Sequence, residues 1–157
     1  MNHKLTSESK FVNGITLFRI EACVDMKWAK KGELGGWVEK KENISGNAWV
    51  SGNAQVYGDA RVSGNAQVSG DARVSGDAQV SGDAWVYGNA QVSGDAQVYG
   101  NAQVYGNAQV YGDAWVYGKL KLSLGYFFGC RHNSEEIKYQ KLDDTTEIIY
   151  KGKAKIE

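Results

Sequence analysis

The side chains able to do acid, base or nucleophilic chemistry are few and widely spaced. The chain has two histidines, His3 and His132, and two cysteines, Cys23 and Cys130. A general base of near-neutral pKa is most often a histidine, but His3 sits in a polar N-terminal stretch that reads as mobile. His132, in GCRHNSEE, reads as a surface or cap-satisfying residue. Cys130 and His132 form only a C-x-H pair, which is not a metal-ligand spacing. The serines Ser51, Ser63, Ser69, Ser75, Ser81 and Ser93 have no base between them. No glycine-rich dinucleotide fingerprint, Walker motif or paired His/Glu metal motif occurs. The reading is no catalytic residue, no metal and no cofactor.

What remains is charge and aromatic surface, and placing it needs the elements that carry it. From Ile44 the chain reads ISGNAW VSGNAQ VYGDAR VSGNAQ VSGDAR VSGDAQ VSGDAW VYGNAQ VSGDAQ VYGNAQ VYGNAQ VYGDAW, twelve unbroken hexads, with a degenerate thirteenth, VYGKLK. A fixed short period is the signature of a solenoid. Along Ala-Gln-Val the alternation puts Ala and Val on one face of a short strand. The following Ser/Tyr-Gly-Asn/Asp supplies a corner, with Gly free to take positive φ. A helix is excluded, since a glycine every six residues costs about 1 kcal/mol each and the apolar positions do not follow a 3.6 period. Three strand-and-corner units close an 18-residue coil, and coils stack at about 4.8 Å. Twelve hexads make about four regular coils whose interior, three Val or Ile and three Ala per coil, is too full for a ligand.

An aliphatic residue followed four positions later by a small one resembles the hexapeptide-repeat β-helix proteins. That resemblance implies a left-handed helix, whereas parallel crossovers in general are right-handed. The expected fold is therefore all-β: a parallel β-helix over 44–122, an N-terminal β cap over 1–43 and a C-terminal hairpin cap over 123–157. GITLFRIEACV (Gly14 to Val24) reads as a covering strand, with Val38 starting the helix one irregular hexad early. EIKYQKL (Glu136 to Leu142) and TEIIYKG (Thr146 to Gly152) read as an alternating hairpin. LFRIEA, then KGELGGWVEKKENIS running into NAWVSGNAQVYGDARV, resembles the YdcK-like hexapeptide-repeat proteins of bacteria and their phages. This second likeness implies a fold and a phage or prophage origin, and it brings no reaction with it. Hexapeptide-repeat acyltransferases are trimeric and place a base histidine on the shaft or in a loop interrupting it. This shaft has neither, so such an enzyme is kept only as an alternative.

Folding the repeat into coils places Asp59, Asp77, Asp95 and Asp113 in one column. The other columns are Asn47, Asn65, Asp83, Asn101 and Asn53, Asp71, Asn89, Asn107. Stacked carboxylates read as tolerated turn residues screened by solvent, or as an edge meeting cations. Trp49 and Trp85 fall on one face, with Tyr99 and Tyr117 aligned there, Tyr87 and Tyr105 on a second, and Tyr57, Tyr111 and Trp115 on a third. Cross-strand packing accounts for part of this. Exposed Tyr and Trp also favour interfaces, which points to a homo-oligomer, a trimer by resemblance.

The chain's 18 acidic and 18 basic side chains cancel. Segment by segment, 1–43 has eight basic and six acidic residues, 44–118 two and six, and 119–157 eight and six, giving +2, −4 and +2. A mildly acidic shaft between basic ends disfavours nucleic acid as a partner. No apolar run approaches the roughly 20 residues of a membrane span, and Met1 to Ser9 lacks a signal-peptide pattern. The two distant cysteines fit reduced thiols better than a disulfide. The functional expectation is a cytoplasmic, non-enzymatic binding protein. Its partner would be a host protein met by the aromatic band, or a small anionic ligand such as a nucleotide held between subunits. The residues expected to make those contacts are the aromatics above with Arg61, Arg73 and Arg131. A passive structural spacer is the remaining alternative.

Overall fold

The structure, a computed structural model, describes residues 1–118, 121–123, 126–128, 138–142 and 145–149. The hexads form a parallel β-solenoid of about five turns whose strands are mostly two residues long. Strands eighteen residues apart pair in register, which produces three flat faces. Face A carries Trp37, Gln55, Arg73, Gln91 and Gln109 outward. Face B carries Arg61, Gln79, Gln97 and Trp115. Face C carries Trp49, Gln67, Trp85, Gln103 and Lys121. The expected four coils become about five because Leu34–Val38 already pairs parallel to Gln55–Val56 above, while Lys121–Leu122 and Tyr126–Phe128 add strands below. After Leu122 the rhythm loses one residue: Val104 partners Leu122, eighteen on, but Val110 partners Phe127, seventeen on.

The interior is solid. Every Val and Ala of the repeat from Ala48 to Val116 is fully buried, and burying a valine stabilises by about 1.5–3 kcal/mol relative to exposure. The corners turn on glycine; Gly82, with φ of 69°, is representative. Each corner also bonds its neighbour, as when Asp83 N–H donates to the Gly100 carbonyl at 2.8 Å.

The N-terminal cap continues face A antiparallel. Strand β1 (His3–Val12) pairs with β2 (Ile15–Ala22), and β2 with β3 (Leu34–Val38). The cap has a definite task, because the first coil would otherwise end in carbonyls lacking the donors that the coil above supplies elsewhere. On face A, Trp37 N–H reaches Ala54 O at 3.0 Å. On face B the side-chain amide of the fully buried Asn43 donates to Gly58 O at 3.1 Å and Ala60 O at 2.8 Å. In a regular coil, backbone N–H groups make both of those bonds. On face C, Asn2 Nδ2 donates to Gly46 O at 3.0 Å and His3 Nε2 to Ala48 O at 2.7 Å. His3 is therefore corrected from a mobile residue to a buried one on β1. Its ring also stacks on Trp49 with centroids 6.1 Å apart. Toward the C-terminus, Lys138–Leu142 and Thr145–Ile149 pair antiparallel, with Lys138 opposite Ile149.

Candidate interaction surface

The acid/amide positions form hydrogen-bonded ladders on the corners. Asn2 Nδ2 donates to Asn47 Oδ1 at 3.0 Å, Asn47 to Asn65 at 3.4 Å, and Asn65 to Asp83 at 3.2 Å. A carboxylate can only accept, so the ladder ends there, and Lys27 Nζ meets Asp83 at 3.8 Å. Asn53 likewise donates to Asp71 at 3.1 Å. The all-aspartate column cannot build such a chain. Its first member, Asp59, instead takes Lys40 Nζ at 2.6 Å. That hydrogen bond and the Lys40 charge hold the Asp59 carboxyl below its usual pKa, with Arg61 adding to the effect. Asp77, Asp95 and Asp113 have no ion pair among the described residues. Also among the described residues, no group of three or more His, Cys, Asp or Glu side chains is placed to hold a metal ion. Nor is any helix long and apolar enough to cross a membrane.

Several aromatic residues collect on and beside face C. At its top a loop between β2 and β3 folds down over the outside of the shaft. It is held by its own bonds, Met26 N–H to Ala29 O at 2.8 Å and Lys31 N–H to Asp25 Oδ1 at 2.9 Å, and it buries Ala29. Its tip sets Trp28 against the shaft, where Nε1 donates to Asn65 O at 2.9 Å. Lys27 lies over the Trp28 ring at 4.3 Å, a cation–π geometry. Trp28 meets Trp85 edge-on at 5.7 Å and 86°. Trp85 meets Tyr87 at 6.3 Å and 78°, and Tyr87 stacks on Tyr105 at 5.0 Å and 6°. Along the other border of face C, Tyr99 and Tyr117 stack at 5.0 Å and 5°. Burial first, and the neighbouring phenol second, push the Tyr87 and Tyr99 hydroxyls above their usual pKa. Both therefore stay protonated as donors. Trp85 is 37% exposed, and the four tyrosines beside it are half-buried.

The anticipated contact residues do not all meet. Trp49 is corrected: it is 3% exposed, because β1 and the His3 ring cover it, and it belongs to the core. Trp85, Tyr87 and Tyr105 form one continuous string, and Tyr99 flanks it with Tyr117. Tyr111 lies half-buried at the corner between faces A and B, and Trp115 half-buried on face B. Tyr57 lines a small groove under the turn of the β1–β2 hairpin. Arg61 and Arg73 are both exposed, but they stand on different faces, so they do not converge on one ligand. Cys130, Arg131 and His132 lie outside the described residues. Cys23 is a free, half-buried thiol.

Trp28 and Lys27 are contributors that the repeat did not reveal. They lie in an irregular loop, and the bond from Trp28 spans 37 residues to Asn65 with no periodic relation between them. The signal available was a tryptophan flanked by lysine in an otherwise polar loop.

No curated protein matches the chain. The YdcK β-solenoid repeat family matches it at residues 54–67, 66–82, 78–94, 96–108 and 102–118. These matches fall on the hexads from residue 54 to 118, whose glycines turn the corners and whose valines and alanines fill the interior. Residues 54–118 of the shaft are thus an array of YdcK β-solenoid repeats.

Proposed function

We propose that this chain is a cytoplasmic, non-enzymatic interaction protein that recognises its partner with the outside of face C. The carrying observation is the aromatic string Trp28–Trp85–Tyr87–Tyr105 laid on a shaft with a filled interior. With no room inside, recognition falls to the outer surface. Interfaces are enriched in Tyr and Trp because these side chains present a large apolar body with a polar tip. The loop residues Lys27 and Trp28 already dock on Asp83 and Trp85. One coil further down, Gln103 between two tyrosine stacks offers similar chemistry without that cover.

Self-association, as a trimer by resemblance to the hexapeptide-repeat proteins, is the assembly proposed for this surface; the YdcK-like resemblance points to a phage or prophage origin, and a host factor is the proposed partner. Capture of a small anionic, nucleotide-like ligand is the second version. Replacing Trp85 and Tyr105 with serine tests the reading. The variant should keep its β circular dichroism and lose the protein partner captured by the wild type from native cells. A partner retained equally by both would overturn it. Release of CoA thiol from an acyl-CoA, dependent on His132, would support the enzyme alternative instead. Absence of any partner in capture would favour a passive spacer.

A further inference from the structure

We propose that the cleft between the N-terminal cap and the start of the shaft binds a short aliphatic carboxylate, its apolar body on Leu5, Ile20 and Ile44 and its anionic end at Lys41. The site uses none of the face C residues and is a separate function of the cap.

The cleft has a volume of about 180 Å3 and is walled by the first residues of β1, by Ile20 of β2 and by segment 41–46. Its floor is apolar: Ile20 is fully buried, Ile44 nearly so, and Leu5 packs half-buried on the same core. An apolar cavity of about 150 Å3 is already large enough for a benzene ring. At about 30 Å3 for each water-sized group, this cleft takes a body of roughly five or six carbons.

The polar groups around the floor divide into those already engaged and those still open. Asn2 Nδ2 donates to Gly46 O and Asn47 Oδ1, and His3 Nε2 to Ala48 O. Lys4 is held by Glu21 at 2.8 Å. Lys41, in contrast, reaches only Glu42, at 4.0 Å, and both side chains are more than half exposed. The Ser45 hydroxyl makes no hydrogen bond among the described residues. Lys41 and Ser45 are exposed and so stand at the mouth, above the buried isoleucines. Among the described residues that line the cleft there is no Asp or Glu, while Lys4 and Lys41 both do. An apolar floor with a few placed polar groups is the usual make-up of a small-molecule site. Here the placed charges are positive, so the ligand that fits carries an apolar body and one anionic end.

The test is titration of the full chain with hexanoate, followed by NMR of the isoleucine methyls and the His3 ring. Saturable shifts of Ile20, Ile44 and His3 are expected for the wild type. Ser45→Tyr narrows the mouth at a corner position that the repeat fills with tyrosine elsewhere, as at Tyr57, so the fold should stay intact and binding weaken at least tenfold. Lys41→Gln should weaken it about three- to fivefold, the range of an exposed ion pair. Hexylamine, with the same body and the opposite charge, should not saturate, and Lys27→Gln should bind as the wild type does. Retained β circular dichroism checks each variant. The site is overturned by an absence of saturable shifts at these three residues, by hexylamine binding as tightly, by wild-type affinity in Ser45→Tyr or Lys41→Gln, or by an equal loss in Lys27→Gln.

Discussion

Replacing Gly82 with alanine probes the device on which the whole shaft depends. Gly82 sits at φ of 69°, a region that costs an L-residue about 1–2 kcal/mol. A Cβ there would lie 3.0 Å from the Gly100 nitrogen and 3.1 Å from its oxygen. Neither atom can move freely, since Gly100 O accepts from Asp83 N–H at 2.8 Å in the ladder between coils. Forcing extra volume into a packed site costs about 1–3 kcal/mol. Reduced freedom of the unfolded chain returns about 0.4–1 kcal/mol. The net loss is about 2.5 kcal/mol, or roughly 5–10 °C in the apparent midpoint for a chain of this size. Two controls separate the causes. At Gly14, with φ of 83°, an added Cβ would meet nothing within 4 Å, so Gly14→Ala should cost only about 1 kcal/mol, its conformational part. Gly82→Asn tolerates positive φ but keeps the Cβ, so it should fall between the two. Thermal melts followed by circular dichroism measure all three. Equal shifts for Gly82→Ala and Gly14→Ala would refute the argument that coil stacking, beyond backbone conformation, demands glycine.

Two further outcomes follow from the cap. Asn43→Ala removes a buried amide whose Nδ2 serves Gly58 O and Ala60 O and whose Oδ1 accepts from Lys40 N–H at 2.9 Å. Leaving buried backbone groups unsatisfied should cost about 2–4 kcal/mol, read as a lowered urea midpoint, and a loss below about 1 kcal/mol would contradict this role. His3 donates through Nε2 to a carbonyl, and burial lowers its pKa below the usual value. The folded state thus favours the neutral ring while the unfolded state protonates near pH 6.5. Stability is then complete above that pH and is lost as pH falls below it, because the unfolded chain binds the proton first. Between pH 7 and 5 the wild-type melting temperature should drop more than that of His3→Gln, which keeps a donor and does not titrate; parallel profiles would exclude this linkage.

The shaft was legible because each of its parts is repeated. Val and Ala at fixed offsets specify the interior, and glycine every six residues specifies the corners, so the columns that pair as Asn65 with Asp83 or Tyr87 with Tyr105 could be written down from spacing alone. Non-repeating contacts were not legible. Trp49 has the sequence environment of Trp85, yet β1 buries one and leaves the other 37% exposed. The difference comes from where the cap folds back, which depends on single long-range bonds such as His3 to Ala48 and Trp28 to Asn65. Asn43 falls six residues before Trp49, at the hexad's outward strand position, yet it is fully buried and replaces two backbone donors that the irregular first coil does not supply. Arg61 and Arg73 are twelve residues apart, which is two hexads and so a different face, and this separation was readable from the 18-residue coil.

The central claim is that this protein self-associates through the aromatic outside of its shaft. Multi-angle light scattering on the wild-type chain at micromolar concentration tests it most directly, alongside the Trp85→Ser/Tyr105→Ser variant. The account predicts one wild-type species near three times 17.2 kDa and a monomeric variant that remains folded. A clean wild-type monomer, or a trimer unchanged by the two substitutions, would contradict it.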